Sequence, residues 1–123
     1  MGKRVLIVED EPGILESLSF VLERAGIEIE TVTDGIDGLD RIRRNTYSGV
    51  ILDIMLPGMN GLDLLRAVRA DRALTDLPVI VLTAKGQAYD RRAAETIGAT
   101  AFITKPFSND ELVRRVIELI QAR

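Results

Sequence analysis

Apolar residues fall in short runs along this chain, and their spacing switches repeatedly between the period of a strand and that of a helix. Arg4–Val8 (RVLIV) is short, β-branched and bounded by polar residues, which predicts a buried strand. Pro12 suits a first helical turn. Ile14, Leu15, Leu18, Val21, Leu22 and Ala25 then share one helical face, and Gly26 is a stop. Residues 27–32 alternate apolar and acidic at first, the pattern of a half-exposed edge strand. Asp34-Gly35 predicts a turn, and Ile36, Leu39 and Ile42 a short amphipathic helix ending near Arg43-Arg44-Asn45. Gly49–Asp53 (GVILD) is a second buried strand, and 55–61 (MLPGMNG) is a loop. A helix follows with Leu62, Leu65 and Val68 inward and Asn60 as its cap. After a loop at Asp76-Leu77-Pro78, residues 78–82 (PVIVL) form another buried strand ending at Thr83-Ala84. Residues 87–97 predict a weaker, alanine-containing helix stopped by Gly98. Residues 101–103 are a short strand running into Thr104-Lys105-Pro106. Ser108 and Glu111 form a capping box for a last helix that buries Leu112, Val116, Leu119 and Ile120.

The order is a strand followed by a helix, five times over. Unpatterned buried strands alternating with helices predict an α/β fold: a doubly wound, five-stranded parallel sheet with helices on both faces. The length of 123 residues suits one domain spanning 1–123, with no linker or repeat inside it. A chain that is 46% hydrophobic and 28% charged can bury a core and stay hydrated. No apolar run approaches the ~18 residues of a membrane span, and no signal-peptide pattern opens the chain, so a cytoplasmic location without membrane contact is expected. A net charge of −3 argues against nucleic acid as a direct partner. The absence of cysteine excludes disulfides and thiol chemistry. The absence of histidine excludes a Ser-His-Asp triad and leaves only oxygen ligands for a metal, which favours a hard cation such as Mg²⁺.

Ligands of open parallel sheets bind beyond the carboxyl ends of the strands, at the point where strand order reverses. The polar residues of this chain collect at those ends: Glu9 and Asp10 after the first strand, Asp53 closing the third, Thr83 the fourth and Lys105 the fifth. With the first and third strands adjacent, as in the order 2-1-3-4-5, Asp10 and Asp53 face each other. Acids crowded there are tolerable if a divalent cation neutralises them, and Mg²⁺ takes one or two carboxylates together with water and phosphate oxygens. A lysine and a hydroxyl at the neighbouring ends complement a phosphoryl group. An aspartate so placed can itself be the nucleophile of an aspartyl-phosphate. Taken singly, each residue has a plainer reading. Asp10 or Thr83 can cap a helix, Glu9 and Glu11 can favour a helix N-terminus, and Lys105 can sit on the surface. The conjunction on one sheet edge favours the chemical reading.

VLIVEDEP, VILDIMLPGMNG, PVIVLTAKG and GATAFITKPF, in that order, resemble the receiver domain of two-component response regulators, a flavodoxin-like fold. The resemblance covers essentially the whole chain. It implies that Asp53 accepts a phosphoryl group, that Asp10 and Asp53 bind Mg²⁺ with the backbone carbonyl of Met55, and that Glu9 joins them through water. It further implies that Thr83 swings toward the phosphoryl group, that Lys105 pairs with it, that the Lys105–Pro106 bond is cis, and that small Ala84 controls access. Phe102 matches an aromatic switch position often filled by tyrosine; its plainer reading is a core residue of the fifth strand. Thr100-Ala101 lack the acids that help many DNA-binding relatives dimerise through the face of helix four, strand five and helix five, so that dimer is not expected.

The implied function is phosphorelay signalling, with a histidine kinase or histidine phosphotransfer protein as donor and an output partner that the sequence does not identify. Such a receiver is not an enzyme beyond assisting its own phosphorylation and autodephosphorylation. The alternative is a degenerate receiver that docks without being phosphorylated. A phosphatase with an aspartyl nucleophile would show Asp-x-Asp, whereas Ile54 and Met55 follow Asp53. A flavin module would need a glycine- and hydroxyl-rich phosphate loop where Glu9-Asp10-Glu11 would repel phosphate.

Overall fold

Successive residues of a strand point to opposite faces, so a central strand that is apolar throughout must be covered on both sides. The computed structural model, which describes residues 2–84 and 88–121, shows how this chain does so. Its elements run β1 (Arg4–Val8), α1 (Pro12–Arg24), β2 (Glu28–Val32), α2 (Gly35–Arg44), β3 (Gly49–Asp53), α3 (Gly61–Ala70), β4 (Val79–Ala84), α4 (Ala88–Ile97), β5 (Ala101–Lys105) and α5 (Asn109–Gln121). All strands are parallel, in the order β2-β1-β3-β4-β5. Val5, Ile7, Ile51, Ile80 and Leu82 pack under Leu18 and Leu22 of α1 and Leu112, Val116 and Ile120 of α5. The alternate residues Leu6, Val8, Val50, Leu52, Val79 and Val81 pack against Leu39, Ile42, Leu64, Leu65, Val68 and Ala94 of α2, α3 and α4. Each fully buried Leu or Ile stabilises the fold by about 1.5–3 kcal/mol relative to exposure. No helix among the described residues is long and apolar enough to cross a membrane.

Most boundaries agree with the sequence, and the departures have local causes. Asp34 is not part of a free turn: its side chain accepts from the Asp37 backbone N–H at 2.8 Å, so α2 starts at Gly35. That earlier start turns Gly35, Gly38, Leu39 and Ile42 inward and leaves Ile36 59% exposed, contrary to the expected inward face. Ala25 is likewise exposed, because α1 ends at Arg24 before the face returns to the core. Strands β4 and β5 run further than the apolar pattern indicates and take Thr83, Ala84, Thr104 and Lys105 into the sheet. A short 3-10 turn, Arg72–Leu74, precedes β4 and has no counterpart in the hydrophobic pattern. The expected helix start at Gln87 and the Lys85-Gly86 end of PVIVLTAKG lie outside the described residues. The expected stops at Gly26 and Gly98 have positive φ of 87° and 123°. Asn60 accepts from Asp63 N–H and Ser108 from Glu111 N–H, as the capping patterns predict.

β2 lies at one sheet edge, as its alternation predicts. Its acids are held by ion pairs: Arg4 with Glu28 and Glu30, and Arg41 with Glu30. The Tyr47 hydroxyl also donates to Glu30 at 2.8 Å.

Two glycines allow the loop after β3 to fold tightly over the carboxyl ends of the strands. Gly61 N–H donates to the Ile54 carbonyl at 2.8 Å and Gly35 N–H to the Pro57 carbonyl at 3.1 Å. A Cβ on Gly61 would stand 2.3 Å from the Asp53 carbonyl oxygen, and one on Gly35 1.8 Å from that of Met59. Both contacts are with backbone, so a chain shift is unavoidable. We expect Gly61→Ala to destabilise the protein by about 1–3 kcal/mol through overpacking. Gly13→Ala, at a helical position with nothing within 4 Å of the added carbon, is expected to gain about 0.5–1 kcal/mol from helix propensity. Urea melts of the two variants beside wild type check both signs.

Candidate functional site

Where β1 leaves the sheet, its chain direction is still set by pairing: Glu9 N–H donates to the Val32 carbonyl at 3.1 Å. This holds Glu9 inside, with 0% exposure. Its Oε2 folds over the start of α1 and accepts from the backbone N–H of Asp10 at 3.0 Å and of Glu11 at 3.3 Å. Glu11, at the helix cap position, makes no side-chain cap. Asp10 is exposed and contributes a carboxylate to the neighbouring cluster.

Asp53 is the last residue of β3 and is 5% exposed. Both its oxygens are engaged: Oδ1 accepts from Met55 N–H at 3.0 Å and Oδ2 from Lys105 Nζ at 2.7 Å. Met55 itself is 65% exposed. The adjacency of β1 and β3 brings carboxylate oxygens of Glu9, Asp10 and Asp53 within 4.8 Å of one another. Lys105 Nζ also lies 3.2 Å from Glu9 Oε1 and 3.7 Å from Glu11 Oε1. Glu9 Oε1 is buried and, although close to the ammonium, has no aligned hydrogen bond.

The electrostatics follow from this crowding. Burial, then the neighbouring Asp53 carboxylate, pushes the Glu9 carboxyl up to about 7. Burial works against the Lys105 ammonium, but the hydrogen bond and charge of Asp53 and the charge of Glu9 outweigh it and raise its pKa. Among the described residues, the carboxylates of Glu9, Glu11 and Asp53 thus share the Lys105 ammonium, and Asp10 adds a further acid beside Glu9 and Asp53. The donors are all oxygen, one buried carboxylate oxygen lacks a hydrogen-bond partner, and a small hard cation fits that set.

Thr83 is 2% exposed, and its hydroxyl is 3.5 Å from that of Thr104 across the β4–β5 register. Ala84 pairs with Lys105 in that register. The Lys105–Pro106 bond is cis. Phe102 is half-buried against the core of the α3 side, with the Arg91 guanidinium 4.9 Å over its ring. The sheet edge therefore unites Glu9, Asp10, Asp53, Met55 and Lys105, and leaves Thr83 and Phe102 on the adjoining strands. Sequence reasoning missed Thr104, Arg91 and the reach of Glu11 to Lys105. A register across strands and a contact between a helix and a strand leave no local signature.

Comparisons with known proteins agree with this geometry. The family model for the response regulator receiver domain matches residues 5–117. The transcriptional regulatory protein DltR of Streptococcus agalactiae is 44% identical over 113 residues, which are 92% of this chain and 50% of that protein. The chain spans about half the length of the curated relatives it matches. Among solved structures, a candidate response regulator of Chloroflexus aurantiacus superposes with a TM-score of 0.94 at 35% identity, covering 100% of both chains. The receiver domain of the sensor histidine kinase PA1611 of Pseudomonas aeruginosa has a TM-score of 0.90 at 30% identity, covers 98% of this chain and 99% of its own, and holds a magnesium ion in its active-site cleft. The family match, the shared 2-1-3-4-5 sheet and the acids gathered at its reversal point lead to one conclusion: the chain belongs to the response regulator receiver domains of two-component signalling.

Proposed function

We propose that residues 1–123 form one receiver domain that takes a phosphoryl group onto Asp53 from a phosphohistidine of a histidine kinase or phosphotransfer protein. The observation that carries this reading is the placement of Asp53: a buried strand-end carboxylate among acids, 2.7 Å from a lysine ammonium. With no histidine among these 123 residues, the donor lies outside them. An Asp53 oxygen attacks phosphorus, the P–N bond to the donor imidazole breaks, and that nitrogen leaves with the electron pair. Met55 N–H orients the carboxylate through Oδ1. Lys105 exchanges its bond to Oδ2 for one to an incoming phosphoryl oxygen, so its charge stays in the site.

Asp10, Asp53 and the Met55 carbonyl would hold Mg²⁺, with Glu9 linked through water. Bound there, Mg²⁺ supplies positive charge for the phosphoryl oxygens and offsets repulsion among the acids. Thr83 then turns its hydroxyl from Thr104 toward the phosphoryl group, and Phe102 follows, changing affinity for an output partner. The result is a population shift whose size is limited by the differential contacts of the phosphoryl group.

Mass spectrometry after exposure to acetyl phosphate with Mg²⁺ tests the acceptor. Wild type should gain one phosphoryl group and Asp53→Asn none; wild-type labelling of that variant would sink the assignment, and an unlabelled wild type would favour a docking module.

Asp10→Asn should raise the Mg²⁺ concentration needed for half-maximal labelling by tenfold or more, roughly the effect of losing one charged ligand. An unchanged Mg²⁺ requirement would remove Asp10 from the metal site.

In the metal-free protein the raised Glu9 pKa has a defined sign. The folded state holds the proton more tightly than the unfolded chain, so stability falls as pH rises from 4.5 through about 7. Glu9→Gln should therefore be more stable than wild type by about 1–3 kcal/mol above pH 7 in chelator. The gain should vanish toward pH 4.5 and shrink in Mg²⁺. Denaturant melts across this range, with and without the metal, measure it.

A further inference from the structure

The helices of this chain are not equally anchored. Among the described residues, α2 and α3 each bury four residues, α5 three and α1 two, whereas α4 buries only Ala94. Ala94 is joined by partly buried Ile97 against the core, so the apolar anchorage of α4 lies toward its C-terminal half. Among the described residues, two arginines add to this anchorage, and they are unlike each other.

Arg69, on α3, is half-buried and reaches under the C-terminal end of α4. Its Nε–H donates to the Gly98 carbonyl at 2.8 Å, and one terminal nitrogen donates to the Leu74 and Thr75 carbonyls at 3.1 and 3.4 Å. The other donates to the Thr100 hydroxyl at 3.2 Å, and that oxygen also accepts from Val79 N–H at 2.9 Å. One planar guanidinium thus joins α3, the turn before β4, the end of α4 and the entry to β5. The Gly98 carbonyl stands just past the last turn of α4, where a cation also suits the helix dipole. Nearer the N-terminal half of α4, the guanidinium of exposed Arg91 lies 4.9 Å over the Phe102 ring. That contact is solvent-accessible and carries no hydrogen-bonding fork.

We propose that α4 is tethered asymmetrically, with Arg69 as a fixed hinge at its C-terminal end and the Arg91–Phe102 contact as a weak latch nearer its N-terminal end. Motion of the helix is then a swing about Gly98, whose positive φ of 123° marks the break in the chain. The latch opens with Phe102 while the entry to β5 stays in place. Arg69 is a positioning residue, acting through backbone carbonyls and Thr100. Its coupling to phosphorylation rests on the reading of Asp53 above; the tether itself does not.

Amide hydrogen exchange on the full chain, read by peptide, tests the tether without any ligand. Arg69→Ala should lower protection at 94–101 roughly tenfold or more, the scale of losing several charge-assisted bonds. The remainder of the sheet should keep its protection. Arg69→Lys should not restore it, because a point ammonium cannot span three directions. Arg91→Ala should lower protection at 88–93 and leave 97–101 unchanged. Uniform loss across β1 and β3 in Arg69→Ala, full rescue by lysine, or identical profiles for the two alanine variants would each overturn the asymmetry. A parallel arm treats wild type with acetyl phosphate and Mg²⁺, with phosphoryl incorporation read by mass. If the group is incorporated, new exchange should appear at 88–93 and not at 97–101, and the reverse pattern overturns the hinge. If wild type gains no phosphoryl group, the functional reading fails while the ligand-free variants still decide the tether.

Discussion

Among the described residues, the Lys105 ammonium is the one cation placed to answer the acids at the carboxyl edge of this sheet, and the arrangement of that edge depends on it. It stands within 4 Å of Asp53, Glu9 and Glu11. Coulomb repulsion between the buried carboxylates of Glu9 and Asp53 would otherwise push the ends of β1 and β3 apart, since like charges interact strongly where water is excluded. Burial and the neighbouring Asp53 carboxylate together raise the Glu9 pKa to about 7, so among the described residues Lys105 offsets the acids only in part. A folded state that retains such a deficit has a standing affinity for added positive charge. That affinity costs stability when no cation is bound.

The scaffold absorbs this strain because the sheet is sandwiched. Alternate residues of β1, β3 and β4 go to two separate cores, one under α1 and α5 and the other under α2, α3 and α4. The loop after β3 is drawn in by the Gly61–Ile54 and Gly35–Pro57 hydrogen bonds, so Asp53 and Met55 are presented by constrained backbone rather than a free loop.

Much of this was legible before the structure. The hydrophobic period separates strands from helices wherever the runs are long, as in β1, β3 and α1. The acids at Glu9, Asp10 and Asp53 stand out because carboxylates at the ends of apolar strands need a reason. Periodicity failed where a single contact overrode it. The Asp34 cap moved the start of α2 and turned Ile36 to solvent. Thr83, Thr104 and Lys105 were drawn into strands by ladder pairing that polar residues do not advertise. The hydrogen bonds of Arg69 were invisible because they join segments up to 31 residues apart and end mostly on backbone oxygens, which every sequence has.

The edge strand β2 carries a further consequence. An uncovered strand offers a row of free donors and acceptors to any extended chain, and proteins often blunt such edges with charge. Here Glu28 and Glu30 occupy the first half of β2, fixed by Arg4 and Arg41, and Glu28 remains exposed. An incoming strand would have to set its side chains against that ion-pair lattice. Charge fixed in this way along β2 disfavours sheet extension on this flank, and it leaves β5 as the other open edge of the sheet.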